Sequence, residues 1–275
     1  MQKGCFFFLF ITHCVLGFSQ RNNTVYKDLK EALINPEQVY HLKLSYKGLD
    51  SLGPEIGRLV NLEELELNNN NLLFLPKELG LLKKLKRLNI FRNKLVELPV
   101  EIGDLGSLEH LLLSSNRLTL LPTSVGKLTM LKELSIKDNR LRALPEEIEG
   151  LVNLEQLFVS YNNLEKIPSG IGKCIKLEQL YLDHNVISSI PSSIGKLKKM
   201  KFLFIGKNSL PSIPPEICQM ENLQELDIAY SGNVGTLASC LADLPVLDLL
   251  YIDTYSSAPY AILARRNFRL KVIIL

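Results

Sequence analysis

Residues 62–82 read LEELELNNNNLLFLPKELGLL, and this arrangement of apolar residues, Asn, Pro and Gly returns along most of the chain. In general form it is Leu-x-x-Leu-x-Leu-x-x-Asn-x-Leu-x-x-Leu-Pro-x-x-Leu-Gly-x-Leu. Its first position recurs at Val39, Leu62, Leu85, Leu108, Leu131, Leu154, Leu177, Met200 and Leu223, in steps of 23 residues. One step of 24 leads to Leu247, and another of 23 to Leu270. A fixed period of this length marks stacked units, none of which buries its apolar face alone.

The first half of each unit alternates. Leu65-Glu66-Leu67 and Leu157-Phe158-Val159 place the first and third residues inward and the second outward, the two-residue period of a short strand. Strands that run the same way in every unit pair in parallel, about 4.8 Å apart, so the eleven starts predict a curved sheet on the order of 50 Å long. The ninth position is Asn70, Asn93, Asn116, Asn139, Asn162, Asn185 and Asn208 in consecutive units. A buried amide needs partners for its donors and its acceptor. These seven are therefore expected to form a structural ladder at the strand exits, not a ligand site. Pro76, Pro99, Pro122, Pro145, Pro168, Pro191 and Pro214 then disfavour helix. The return segment should be extended, with at most a 3-10 turn. Ile-Gly follows, as at Ile102-Gly103, where Gly is expected to ease the turn into the next strand.

These motifs resemble the leucine-rich-repeat family, in its Leu-Pro-x-x-Ile-Gly type. That type occurs in Ras-associated repeat scaffolds of animals and plants and in bacterial secreted proteins. The resemblance covers residues 39–230 strongly and the ends weakly. It implies an α/β solenoid, a horseshoe with a concave parallel β-sheet of about eleven short strands and mostly irregular, extended or 3-10 convex segments. It does not name a partner, because one repeat fold hosts many functions.

The domain plan follows from the register. Residues 1–19 have the form of a secretory signal peptide, with Lys3, an apolar run from Phe6 to Leu16, and Gly17 and Ser19 before a cut at Gln20. Ile11-Thr12-His13-Cys14 resembles a lipoprotein box only faintly, since His13 replaces the small residue before Cys14. Residues 20–38 form an N-terminal cap, with Thr24 starting a helix over Val25 to Leu33. Residues 39–230 are the repeats. Residues 231–275 are irregular last units and a C-terminal cap, with a helix after Pro259 and a final strand at 270–275. The final strand is an edge that needs cover. The expected location is outside the cytosol after leader removal, with the cytoplasm as the alternative if the leader is retained. Asn22-Asn23-Thr24 is a glycosylation sequon, meaningful only in a eukaryotic secretory pathway.

Without the leader three cysteines remain. Cys218 and Cys240 lie in adjacent units, close enough in register for a bridge, while Cys174 is two turns away from Cys218. Buried free thiols are the reading their apolar positions favour.

Net charge is +3, and removing residues 1–19 takes away only Lys3, so nothing argues for nucleic acid. The clusters Lys83, Lys84, Lys86, Arg87 and Lys196, Lys198, Lys199, Lys201 read as a solvated rim. No apolar stretch beyond the leader has spanning length. His41, His110 and His184 lie in separate units without metal-ligand spacing, and the side chains of Asp183 and His184 should diverge as strand neighbours. Gly170-Ile171-Gly172-Lys173 lacks a full phosphate-loop motif. No catalytic residue, metal site or cofactor is expected.

Specificity should be written at the outward third, fifth, seventh and eighth positions. From Phe158 onward these are rich in aromatics. Phe158, Tyr161, Tyr181, His184, Phe204, Tyr230 and Tyr251 are the candidate partner-binding residues, with Phe202 beside them. Exposed aromatics mark interaction surfaces, although aromatics also pack on one another across a sheet. The expected function is a secreted, non-catalytic module that binds a protein on its concave face. An intracellular scaffold of the Ras-associated type and a glycan-binding protein are the alternatives.

Overall fold

The computed structural model describes residues 24–232, 234, 237–254 and 270–275. The leader, Asn22-Asn23 of the sequon and the helix expected after Pro259 lie outside the described residues.

Among the described residues, twelve strands form one parallel sheet in chain order. They are β1 (Val25–Tyr26), β2 (His41–Lys43), β3 (Glu64–Glu66), β4 (Arg87–Asn89), β5 (His110–Leu112), β6 (Glu133–Ser135), β7 (Gln156–Phe158), β8 (Gln179–Tyr181), β9 (Phe202–Phe204), β10 (Glu225–Asp227), β11 (Leu249–Ile252) and β12 (Lys271–Ile274). Equivalent residues pair directly. Leu65 faces Leu88, Leu88 faces Leu111, and the fifth-position residues form one row across the sheet. The column Leu65, Leu88, Leu111, Leu134, Leu157, Leu180, Leu203 and Leu226 is fully buried. Each such leucine contributes about 2 kcal/mol of burial, and each gains that only because the next turn covers it.

The twelfth strand comes from the N-terminal cap. Val25 and Tyr26 pair with His41 and Leu42, which covers the first edge of the repeats. The expected helix over Val25 to Leu33 shrinks to Leu29–Ala32, capped by Asp28 rather than Thr24, because the Asp28 carboxylate accepts the Glu31 N–H at 3.0 Å. The edge pairing of Val25, a β-branched residue, outweighs the helical pattern around it.

The return segments hold five-residue 3-10 turns, such as Val100–Asp104 and Ser169–Lys173, each begun by a proline in extended conformation. Here the role of glycine differs from expectation. Gly103 and Gly126 do not have positive φ. A Cβ on Gly103 would lie 2.3 Å from the Ser124 carbonyl oxygen, and one on Gly126 would lie 2.2 Å from that of Glu147. The glycines let successive 3-10 turns stack at close range.

The left-handed backbone falls instead on the eighth position. Tyr46, Asn69, Arg92, Ser115, Asp138, Tyr161, His184, Lys207 and Tyr230 all have φ between 53° and 59°. Each costs on the order of 1 kcal/mol, and the residue that follows holds it in place. Asn116 illustrates the device. Its Oδ1 accepts the Leu95 N–H of the preceding turn at 3.0 Å. Its Nδ2 donates to the Ile90 carbonyl of that turn at 3.0 Å and to Leu113 of its own turn at 2.9 Å. Asn93, Asn139, Asn162, Asn185 and Asn208 repeat the pattern. Asn70 starts it, accepting from Lys47 and Leu49. Ser231 takes over in the next turn and donates to Ile205 at 2.8 Å, the same carbonyl an amide would reach.

The cysteines also depart from the thiol reading. Cys218 and Cys240 form a disulfide, with Cα atoms 5.8 Å apart. The register brought them within reach, and the bridge ties the return segment before β10 to the one before β11. Cys174 is a buried thiol that donates to the Ile148 carbonyl at 3.3 Å, and burial pushes its pKa up to about 12.

Replacing Asn116 by Ala should leave three backbone groups, on Leu95, Ile90 and Leu113, without this partner in a dry interior. We expect a loss of about 2–4 kcal/mol in urea denaturation, and a loss below about 1 kcal/mol would show the ladder to be ornamental.

Candidate functional site

Parallel register arranges the predicted site residues in two rows. In the first, Phe158, Tyr181 and Phe204 lie in register across β7, β8 and β9. Their rings are in contact, with Phe158 and Tyr181 centroids 5.1 Å apart and tilted, and Tyr181 and Phe204 4.6 Å apart and nearly parallel. Tyr251 belongs to the same row, but Asp227 of β10 separates it from Phe204. In the second row, at the left-handed turn, Tyr161 stacks on His184 at 3.9 Å. The ammonium of Lys137 lies 5.1 Å from the Tyr161 ring centre. Tyr230 stands two units beyond His184, with Lys207 in the unit between. The eighth-position tyrosines are the exposed ones, Tyr161 at 45% and Tyr230 at 48%, whereas Phe158, Tyr181, Phe204 and Tyr251 are half-buried.

The rings pack on one another across the sheet, with Tyr181 between Phe158 and Phe204, and the exposed area of the group lies mainly at Tyr161 and Tyr230. A hollow of about 460 Å³ runs between the two rows, bordered by Phe158, Tyr161, Tyr181 and Phe204 with Lys137 and Asp183.

The acidic groups among the rings were not singled out from sequence, although the fifth-position row already contained Asp227. Burial and the charges of Asp183 and Glu225 push the Asp227 carboxyl above its ordinary value, against the Ala229 N–H bond at 2.9 Å and the pull of Lys207. Burial, then Glu225 and Asp183, raises Tyr181, and burial and Glu225, which accepts the Tyr251 hydroxyl, raise Tyr251.

Asp183 and His184 do not diverge as strand neighbours should. The left-handed φ of His184 ends the alternation, and its Nδ1 lies 2.8 Å from Asp183 Oδ2. Ser160 donates to the other oxygen of Asp183. The hydroxyl thus meets the carboxylate rather than the imidazole, so the three groups do not form a nucleophile–base relay. His41 and His110 each face a carboxylate on the next strand, Glu64 at 3.3 Å and Glu133 at 2.9 Å. Among the described residues no group of three or more metal-ligating side chains forms. The Gly170 N–H donates to Glu146 at 3.0 Å, so a carboxylate occupies the position that would attract a phosphate. Lysines of the basic clusters are engaged across turns, Lys86 with Glu63, Lys84 with Asn61, Lys198 with Gln219 and Lys201 with Glu178.

An open parallel sheet, one strand per turn, with an amide ladder and 3-10 returns defines a repeat solenoid. The comparisons agree: models of the leucine rich repeat and of a leucine-rich repeat region match residues 60–118 and 123–258. A leucine-rich-repeat protein of Leptospira interrogans is 31% identical, with 92% of this chain and 82% of that one covered and a TM-score of 0.56. The chain belongs to the leucine-rich-repeat family. The plant peptide hormone receptor RGFR1, solved in complex with RGF2, is 28% identical with a TM-score of 0.71, and the match covers 79% of this chain but only 37% of the receptor. An internalin, InlF of Listeria monocytogenes, shares the fold at 18% identity, with a TM-score of 0.76 over 90% of this chain and 70% of its own. A search of curated proteins gives no match. Members of this family generally serve as scaffolds for protein–protein interaction. Among the described residues no helix is long and apolar enough to cross a membrane.

Asp227 provides a test of the site's electrostatics. Its folded pKa lies above the ordinary 3.8, so its charge costs stability at neutral pH, and the cost disappears as pH falls below that value. Asp227→Asn keeps an acceptor for Ala229. It should melt above wild type at pH 7 and converge with it in acid, and an Asn variant less stable at pH 7 would reverse the assignment.

Proposed function

We propose that this chain is an exported, non-catalytic binding module that holds a protein partner on the C-terminal half of its concave face. The observation that carries this is the continuous stack Phe158–Tyr181–Phe204, set beside the Tyr161–His184 pair on the same face. Tyrosines supply large contact area at low entropic cost, and they are frequent anchors at interfaces. The likeness to a plant peptide hormone receptor, solved with its ligand, supports a peptide or protein as the partner class.

Export is supported by the leader-like form of residues 1–19 and by the Cys218–Cys240 bridge, since such bonds persist in oxidising compartments. The bridge weighs against an intracellular scaffold. Stacking on a sugar needs an open ring face, and the central ring, Tyr181, has Phe158 on one side and Phe204 on the other, which weighs against a glycan there. Protein from the exported fraction of its native cells should begin at Gln20, and an intact Met1 start in the cytosol would remove the export half of the proposal.

A photo-crosslinking phenylalanine analogue at Tyr161 should trap one discrete partner in those cells, and the same group at Glu147 on the convex side should not. Crosslinks from position 147 alone would move the site to the other face. With the crosslinking group moved to Tyr230, Tyr161→Ala should then abolish capture with little change in melting temperature. Tyr181→Ala should cost about 1–3 kcal/mol as well, because it removes two ring contacts.

A further inference from the structure

Concave acids of the N-terminal half have side-chain partners across strands. Glu66 pairs with Lys43 at 2.8 Å, Glu64 with His41 at 3.3 Å and Glu133 with His110 at 2.9 Å, each one unit away. On β10 this pairing stops. The in-register neighbours of Glu225 are Phe202 and Leu249, and those of Asp227 are Phe204 and Tyr251. Among the described residues neither acid makes an ion pair. Glu225 accepts the Tyr251 hydroxyl, and Asp227 accepts only the Ala229 N–H.

The same register builds a slot. Phe204 and Tyr251 stand on strands either side of β10, two spacings or about 10 Å apart, with the short side chain of Asp227 between them. One face of Phe204 is covered by Tyr181, nearly parallel at 4.6 Å, and Asp227 follows in register on its other side, before Tyr251. The separation leaves room for a flat group above the short Asp227 side chain. Asp227 forms the floor, and Glu225 and Asp183 add negative charge nearby. Lys207 also faces this region and draws the Asp227 carboxyl down, yet the acids and burial outweigh it. Negative charge therefore outweighs the nearby lysine, neither acid has an ion-pair partner among the described residues, and the flanking rings favour a planar cation.

We propose that the slot between Phe204 and Tyr251 receives an arginine side chain of the partner, its guanidinium between the rings and paired with Asp227. This rests on the concave face being the partner surface. Guanidinium suits the slot better than ammonium because it is flat, weakly hydrated and able to bridge two carboxylate oxygens. The chain already places cations over rings in cis, Arg92 at 5.2 Å from the Phe91 ring centre and Lys137 at 5.1 Å from that of Tyr161.

The test is a titration of the full chain, with its Phe and Tyr rings isotope-labelled, by the peptide acetyl-Ala-Ala-Arg-Ala-Ala-amide, followed by nuclear magnetic resonance. Phe204 and Tyr251 signals should shift and saturate. The citrulline peptide, isosteric but uncharged, should bind roughly 5- to 10-fold more weakly, and the lysine peptide should fall between. Asp227→Asn and Glu225→Gln keep their acceptors for Ala229 and Tyr251, and Asp227→Asn should erase the preference for arginine over citrulline. Equal response to arginine and citrulline, or an unchanged preference in Asp227→Asn, overturns the slot. If the peptides shift Phe158 and Tyr161 alone, whatever their charge, the slot is wrong while the concave binding surface stands. No response at any ring overturns the slot, and photo-crosslinking at Tyr161 then decides the surface separately.

Discussion

A buried asparagine amide that bonds to two turns at once is the interaction on which the rest of this molecule depends. Each turn leaves backbone N–H and C=O groups inside the coil, where no water can reach them, and each orphan would cost about 1–3 kcal/mol. One side chain of fixed length satisfies three of them, two on the preceding turn and one on its own, as Asn116 does. That fixes the height of the turn and, with it, the left-handed residue just before the amide. It also fixes the register, so that residues 23 apart become neighbours on one face. The glycines act on the other side of the coil, where stacked 3-10 turns come too close for a Cβ.

Because the frame is held by the first, fourth, sixth and ninth positions, the outward positions are free to differ between units. They differ in a directed way. Histidine, lysine and glutamate pair across strands in the N-terminal half, so that each of these acids has a partner within the sheet. Aromatic rings replace them from β7 onward, and at β10 two acids stand among rings without an ion-pair partner among the described residues. Asp227 holds its charge there at a cost to the fold. Functional surfaces commonly carry such costs, and the aromatic half of the face is where this chain departs most from that cross-strand pairing.

Much of this was legible in the sequence. The period, the inward leucines, the seven amides and the strand rows follow from spacing alone, since a regular solenoid converts sequence separation into spatial adjacency. The candidate aromatics were legible for the same reason. What escaped depended on competition between partners. Val25 and Tyr26 had a helical pattern, but an open sheet edge was available to them. Glycine after isoleucine looked like a turn residue, and only the stacking distance shows otherwise. His184 and Asp183 meet because a left-handed φ falls on a histidine, where no sequence rule places it. Cys218 and Cys240 had the spacing for a bridge, but spacing does not separate a bonded pair from two buried thiols.

The measurement that bears most directly on this account is residue-resolved hydrogen exchange under native conditions. The N–H groups of Leu72, Leu95, Leu118, Leu141, Leu164 and Ile187 each donate to a ladder amide of the following turn. The account predicts that these six are among the slowest in the molecule, are similarly protected, and exchange through opening of the whole array. Exchange as fast as that of rim amides outside the ladder, such as Gly106 and Thr129, would contradict it, because the turns would then be held together by apolar burial without the amides.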